Sequence, residues 1–286
     1  MKFFEPDTID EAVSLLNEHE EARCISGGAT LVAMMNADLV DMPALVSLRR
    51  ITGLAGIAAD KDGLRIGGMT THNTIANDPQ LAGGWSVLRR AAGQIAHPGV
   101  RTMGTIGGSI SHADPAADYL GALVAADARV EIAGADGVRQ VPATDFFVDY
   151  YTTDVEDGEL VTAVLLPAAP AGAVGIHRKF ARADGDFATA SISLVLALSG
   201  DVCTHLRIAV GGCGATPINV PEAEQLLVGQ PLDKQRIAEA GKLLSAACDP
   251  IDDVRGSAEY RLLLVPRLLQ QALDMATDEI NAGAAA

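Results

Sequence analysis

Residues 24–32 read CISGGATLV, and residues 105–109 read TIGGS. Each stretch sets paired glycines between small hydroxyl or apolar residues. Glycine lets the main chain turn its N–H groups outward and lets a ligand approach with no Cβ in the way. Successive outward N–H groups form an anion nest suited to a pyrophosphate. Ser26, Thr30, Thr105 and Ser109 add hydroxyls. Neither stretch is G-x-G-x-x-G or G-x-x-x-x-G-K-[ST], so the Rossmann and P-loop readings both fail on spacing. By spacing alone, two ordinary tight turns in a glycine-rich chain are the favoured reading. A third glycine cluster, GGCGATP at 211–217, reads as a wide turn.

Working outward, 286 residues suit two domains, or one with an appended lobe. Apolar residues at 49% supply real cores, and 29 glycines with 4% aromatics fit mixed α and β structure. Lys plus Arg is 21 and Asp plus Glu is 37, a net charge of −16, which argues against nucleic acid or an anionic membrane as partner. Cys24, Cys203, Cys213 and Cys248 show neither zinc nor iron–sulfur spacing and read as scattered, reduced thiols. The opening MKFFEPDTIDEAVSLL lacks the pattern of a signal peptide, and the apolar run ATASISLVLAL at 188–198 is too short to span a bilayer. The expectation is a cytoplasmic protein.

Along the chain, residues 1–55 alternate helix and strand, with Asp7 or Thr8 as first cap. Lys61-Asp62-Gly63 and Asp136-Gly137 read as hairpin turns. GWSVLRRAAGQIA reads as a helix broken at His97-Pro98-Gly99, TIGGS as a loop, and Asp114-Pro115 as the start of a helix with Asp118 in its first turn. AAPAGAVG at 168–175 is the linker candidate. Beyond it, three strands (IHRKFAR, TASISLVLAL, HLRIAVGGC) precede helices at PEAEQLLVG, DKQRIAEAGKLLSAAC and SAEYRLLLVPRLLQQALDMATDEI, with Pro266 kinking or dividing the last. Lys179 and Arg182 read as solvated strand residues. None of the six histidines forms a metal motif, and no nucleophile elbow surrounds Ser109 or Ser111.

SGGATLV, RTMGTIGGSISHADPAAD, DGELVTAVLLP and KFARADGDFATASISLVLAL together resemble the FAD-binding medium subunit of the molybdenum hydroxylases, the carbon monoxide, xanthine and nicotine dehydrogenase relatives. The resemblance runs through RGSAEYRLLLVPRLL near the end. It implies an α+β chain: a two-part FAD cradle of the vanillyl-alcohol-oxidase type, then a C-terminal α+β lobe with a three-stranded antiparallel sheet and helices. The implied divisions are 1–55 and 56–170 for the two FAD subdomains and 176–286 for the lobe.

For the site, the resemblance implies that Ser26, Gly27, Gly28, Ala29, Thr30 and Leu31 wrap the pyrophosphate. Thr105, Ile106, Gly107, Gly108 and Ser109 form a second clamp. Ile95 packs near the cofactor, Asp118 binds it, Val161 and Lys179 lie beside the flavin ring, and Phe187 lies over it. No catalytic acid or base and no metal ligand is implied on this chain. GGAT stands where relatives often have GGHS or GGTD, and Ser109 where Asn is common. The implied partners are a large subunit with the molybdenum cofactor and a small subunit with two [2Fe–2S] clusters, assembled as a dimer of heterotrimers. The implied role is to take cluster electrons onto FAD and pass them to an external acceptor. The alternative is a stand-alone FAD-dependent oxidase or reductase of the same cradle fold.

Overall fold

The computed structural model describes residues 1–60 and 62–284. Lys61, in the first hairpin turn expected from sequence, lies outside them. The chain begins β1 (Lys2–Phe4), α1 (Ile9–Glu18), β2 (Ala22–Ile25), α2 (Leu31–Asn36), β3 (Ala44–Ser47). These strands form a parallel sheet in the order β1-β3-β2. Thr8 caps α1 by accepting from the Glu11 amide at 3.1 Å, and Ala12, Val13 and Leu16 are buried. The sequence reading has no strand before α1; β1 is three residues whose pairing with Ala44–Val46 is tertiary.

The middle of the chain runs β4 (Ile57–Asp60), β5 (Gly63–Gly67), α3 (His72–Asn77), α4 (Ser86–Gln94), α5 (Pro98–Arg101), α6 (Ile106–His112) and α7 (Asp118–Ala125). It continues with β6 (Arg129–Gly134), β7 (Gly137–Pro142), α8 (Ala143–Phe146), β8 (Phe147–Asp149), β9 (Thr152–Thr153) and β10 (Leu160–Pro167). Five strands form an antiparallel sheet, β4-β5-β10-β6-β7, and β8 pairs with β9. The β10–β6 register slips between Val161 and Ala163. Such a bulge bends a strand and re-aims its side chains.

Two sequence expectations are corrected here. TIGGS is the N-terminal turn of α6, with Thr105 as its cap. The helix after ADPAAD begins at Asp118 rather than at Pro115. Asp114 instead closes a turn of its own: Oδ1 accepts from the Ala116 amide at 2.9 Å, and its carbonyl accepts from Ala117 at 2.9 Å. Side-chain-to-backbone bonds of this kind compete with helix initiation.

The last third holds β11 (Val174–Phe180), β12 (Ala190–Ser199), β13 (Val202–Gly211), α9 (Pro221–Gln225), α10 (Lys234–Ala247) and α11 (Ala258–Ala284). The strands form one antiparallel sheet in sequence order. Val195, Ala197 and Ala209 on one face join the core of α4 and α7. Ile176, Leu194, Leu196 and Ile208 on the other join α10 and α11. Burial on both faces explains why β12 reads as a continuous apolar run.

β11 already covers Val174 and Gly175, so the irregular link is shorter than the expected 168–175. Pro266 neither divides α11 nor ends it. A helix proline frees the carbonyl four residues back. Here Leu262 O accepts instead from Ser245 Oγ on α10 at 3.1 Å.

Candidate functional site

A cavity of about 830 Å³ opens between β2, α6, the start of β10 and the loop that follows β11. Its size suits a large organic cofactor. Ser26 to Leu31, Ile95, Thr105, Gly107, Gly108, Ser109, Asp118, Val161 and Phe187 line it. Two expected residues do not. Ile106 is fully buried in the core, and Lys179 stands behind Asp118.

The first glycine segment links β2 to α2. Among the described residues, the amides of Gly27, Gly28, Ala29, Thr30 and Leu31 make no hydrogen bond within the protein, and α2 has no side-chain cap. Thr30 and Leu31 open α2, where the first amides of a helix have no partner within it. Five in a row on a cavity wall are free to donate to an acceptor from outside the chain. Gly28 has φ +72°, the left-handed region that turns the chain here. Gly27 serves packing: a Cβ there would sit 1.7 Å from the Met103 carbonyl oxygen.

The second segment is built differently. The amides of Ile106, Gly107, Gly108 and Ser109 already pair with Thr70 O, Gly68 O, Thr105 Oγ1 and Thr105 O. It therefore does not present the row of outward N–H groups expected from a loop. It offers the hydroxyls of Thr105 and Ser109, the N-terminal end of α6, and a bare surface at Gly108. A Cβ on Gly108 would lie 3.7 Å from Ser26 Cβ, so the two glycine segments lie against each other on the cavity wall. Gly107 is the packing glycine of this pair, since its Cβ would meet Gly68 O at 2.7 Å.

Asp118 is the one buried carboxylate in a ring of polar groups. Oδ2 accepts from Lys179 Nζ at 2.9 Å, and Oδ1 lies 2.9 Å from His177 Nε2. Lys179 Nζ also donates to Gln94 O at 2.9 Å, and His177 Nδ1 lies 2.8 Å from Ser193 Oγ. Sequence reasoning took Lys179 for a solvated residue; the structure corrects this, because that position of β11 turns toward α4 and α7. Ser193, His177 and Asp118 form a serine–histidine–carboxylate chain, yet Ser193 and His177 are sealed from solvent and the serine hydroxyl faces no cavity. A hydrolase reading fails on access.

Several cavity residues escaped the sequence reading. His72 is buried, and its Nδ1 lies 3.2 Å from the hydroxyl of Tyr119. Tyr151 and His112 line the cavity with their rings tilted at 52° and 5.3 Å apart, and Tyr151 Oη donates to Asp114 Oδ2 at 3.4 Å. Tyr151 holds φ +53°, which favours glycine. No motif flags these residues, because each acts through a partner distant in sequence. Phe187 stands at the rim under the Arg255 guanidinium, 5.1 Å from its ring centre.

Burial pushes the Cys24 thiol up to about 12, so it lines the cavity as a neutral group. Cys213 and Cys248 are not scattered: their thiols touch, which pulls Cys213 down and Cys248 up. No cluster of three metal-ligating side chains exists among the described residues, and none of their helices is long and apolar enough to cross a membrane.

The family described as FAD binding domain in molybdopterin dehydrogenase matches residues 1–169, and that described as CO dehydrogenase flavoprotein C-terminal domain matches residues 176–276. The carbon monoxide dehydrogenase medium chain of Afipia carboxidovorans is 36% identical over 275 residues, 96% of each chain. The nicotine 6-hydroxylase medium subunit of Paenarthrobacter nicotinovorans is 34% identical over 273 residues, again 96% of each. Among solved structures, a chain of carbon monoxide dehydrogenase from Hydrogenophaga pseudoflava superposes with TM-score 0.94 at 33% identity, covering 97% of each chain.

Proposed function

The chain belongs to the family of FAD-binding medium subunits of molybdenum hydroxylases, and from that membership we propose that it is the electron-exit subunit of such a complex. It receives electrons from [2Fe–2S] clusters on a small partner and delivers them to an external acceptor. A large partner carries the molybdenum cofactor and oxidises the substrate. The assembly is a dimer of heterotrimers in the cytoplasm. Within the chain, residues 1–55 and 56–170 are the two halves of the FAD cradle and 176–286 the lobe that closes it.

The observation that carries this reading is the row of free amides from Gly27 to Leu31, set beside Gly108 in a cavity large enough for FAD. FAD, when bound, supplies a redox centre that is filled and emptied in one- or two-electron steps. The protein's part is to bind and orient it. The free amides neutralise phosphate charge without a lysine. Thr105 and Ser109 add hydroxyls from α6. Asp118, held by Lys179 and His177, offers a carboxylate already fixed in place, so little ordering remains to be done on binding. Ile95 and Val161 form apolar wall, and Phe187 covers the rim.

The test is to co-express the chain with its partners, isolate the complex without oxygen and add reductant for the clusters. Cluster reduction followed by bleaching of the flavin band, in a particle holding two copies of each subunit, is expected. A chain that purifies alone with FAD and oxidises a small substrate at full rate would establish the stand-alone oxidase instead.

A further inference from the structure

His72 is 5% exposed and sits at the start of α3 on the floor of the cavity. Its Nδ1 meets the Tyr119 hydroxyl at 3.2 Å, its Nε2 makes no hydrogen bond among the described residues, and the residue lines the cavity. Tyr119 is fully buried, and this histidine is the one partner of its hydroxyl among the described residues. A buried O–H that donates to nothing is costly. Tyr119 therefore donates, Nδ1 accepts, and the neutral ring carries its proton on Nε2. The hydroxyl fixes the tautomer.

The position of Nε2 says what it addresses. A Cβ on Gly104 would lie 2.5 Å from it, so the ring edge fills the place where Gly104 has no side chain. Gly104 Cα is in turn 3.2 Å from where a Cβ on Gly27 would be. Nε2 thus lies beside the meeting point of the two glycine segments. We propose that His72 is a cofactor-contact residue, its Nε2–H donating to a pyrophosphate oxygen of FAD from the cavity floor. This rests on the FAD reading above.

The contact is one of neutral donor to anion. Burial pushes the imidazole down to about 4; Asp118 raises it and Arg101 lowers it further. With Tyr119, these are the titratable and charged groups that face the ring. Before the cofactor enters, the ring is therefore neutral through the physiological range.

Flavin-fluorescence titration of the apoprotein with FAD tests this at about pH 5.5 and about pH 8. His72→Leu is expected to weaken binding about tenfold or more at both, because a hydrogen bond to a charged group is lost. His72→Gln, whose amide is still a donor, should recover most of the affinity, and Tyr119→Phe should fall between. Equal affinity for wild type and His72→Leu would overturn the proposal. If His72→Leu does not fold, nitrogen NMR of the wild type decides: the proposal requires a proton on Nε2 whose resonance moves when FAD is added, and a proton on Nδ1 overturns it. A folded wild type that binds no FAD would remove the FAD reading itself; binding by wild type with no effect of His72 would remove this inference alone.

Discussion

Lys179 Nζ lies 2.9 Å from Asp118 Oδ2, and both side chains are 5% exposed. A buried pair of this kind contributes modestly as a pair but costs heavily when one partner is removed. Lys179→Met is expected to destabilise the apoprotein by about 3–5 kcal/mol, because buried Asp118 loses its lysine partner and keeps only the contact with His177. Combining it with Asp118→Asn should restore much of that loss. Urea unfolding of the two single variants and the double variant measures the coupling.

The glycines divide into two classes that mutagenesis separates. Gly27→Ala and Gly107→Ala place a Cβ 1.7 Å from Met103 O and 2.7 Å from Gly68 O, so backbone must move. Each should cost about 1–3 kcal/mol in unfolding experiments. Gly108→Val projects toward Ser26 and the cavity. It should leave a folded protein by circular dichroism and abolish FAD binding. Wild-type FAD affinity in Gly108→Val would remove α6 from the cofactor site.

The stability of the apoprotein should fall in mild acid because of His72. Its folded pKa, about 4, lies below the ordinary 6.5. A histidine depressed in this way favours the folded state fully above about pH 6.5, and that contribution is lost as the pH falls toward about 4. The residue accounts for up to about 3 kcal/mol of the decline. His72→Gln should flatten the profile in that window; an unchanged slope in urea unfolding against pH would assign the acid lability elsewhere.

Ser245 and Pro266 should be coupled. Ser245→Ala leaves the Leu262 carbonyl without its donor and should cost about 1 kcal/mol. In a Pro266→Ala background the new amide bonds that carbonyl, and the same change should cost less. A double-mutant cycle reads the difference.

The elements legible in sequence are those whose signals are local. Both glycine segments, Asp118, Val161 and Phe187 sit in contiguous motifs, and they line one cavity. What escaped depends on packing. TIGGS read as a loop because glycine disfavours helices, but α6 passes so close to Gly68 that Gly107 has no room for a Cβ. Lys179 read as solvated because a lone basic residue on a strand usually is; its burial follows from Asp118, 61 residues away. His72 and Tyr119, 47 residues apart, carry no spacing signal at all.

The most direct test of the account is titration of the purified chain with FAD, followed by its visible spectrum. One FAD per chain is predicted, with affinity abolished by Gly108→Val while the fold persists. A folded chain that stays colourless, and whose intrinsic fluorescence does not respond to added FAD, would contradict the central claim.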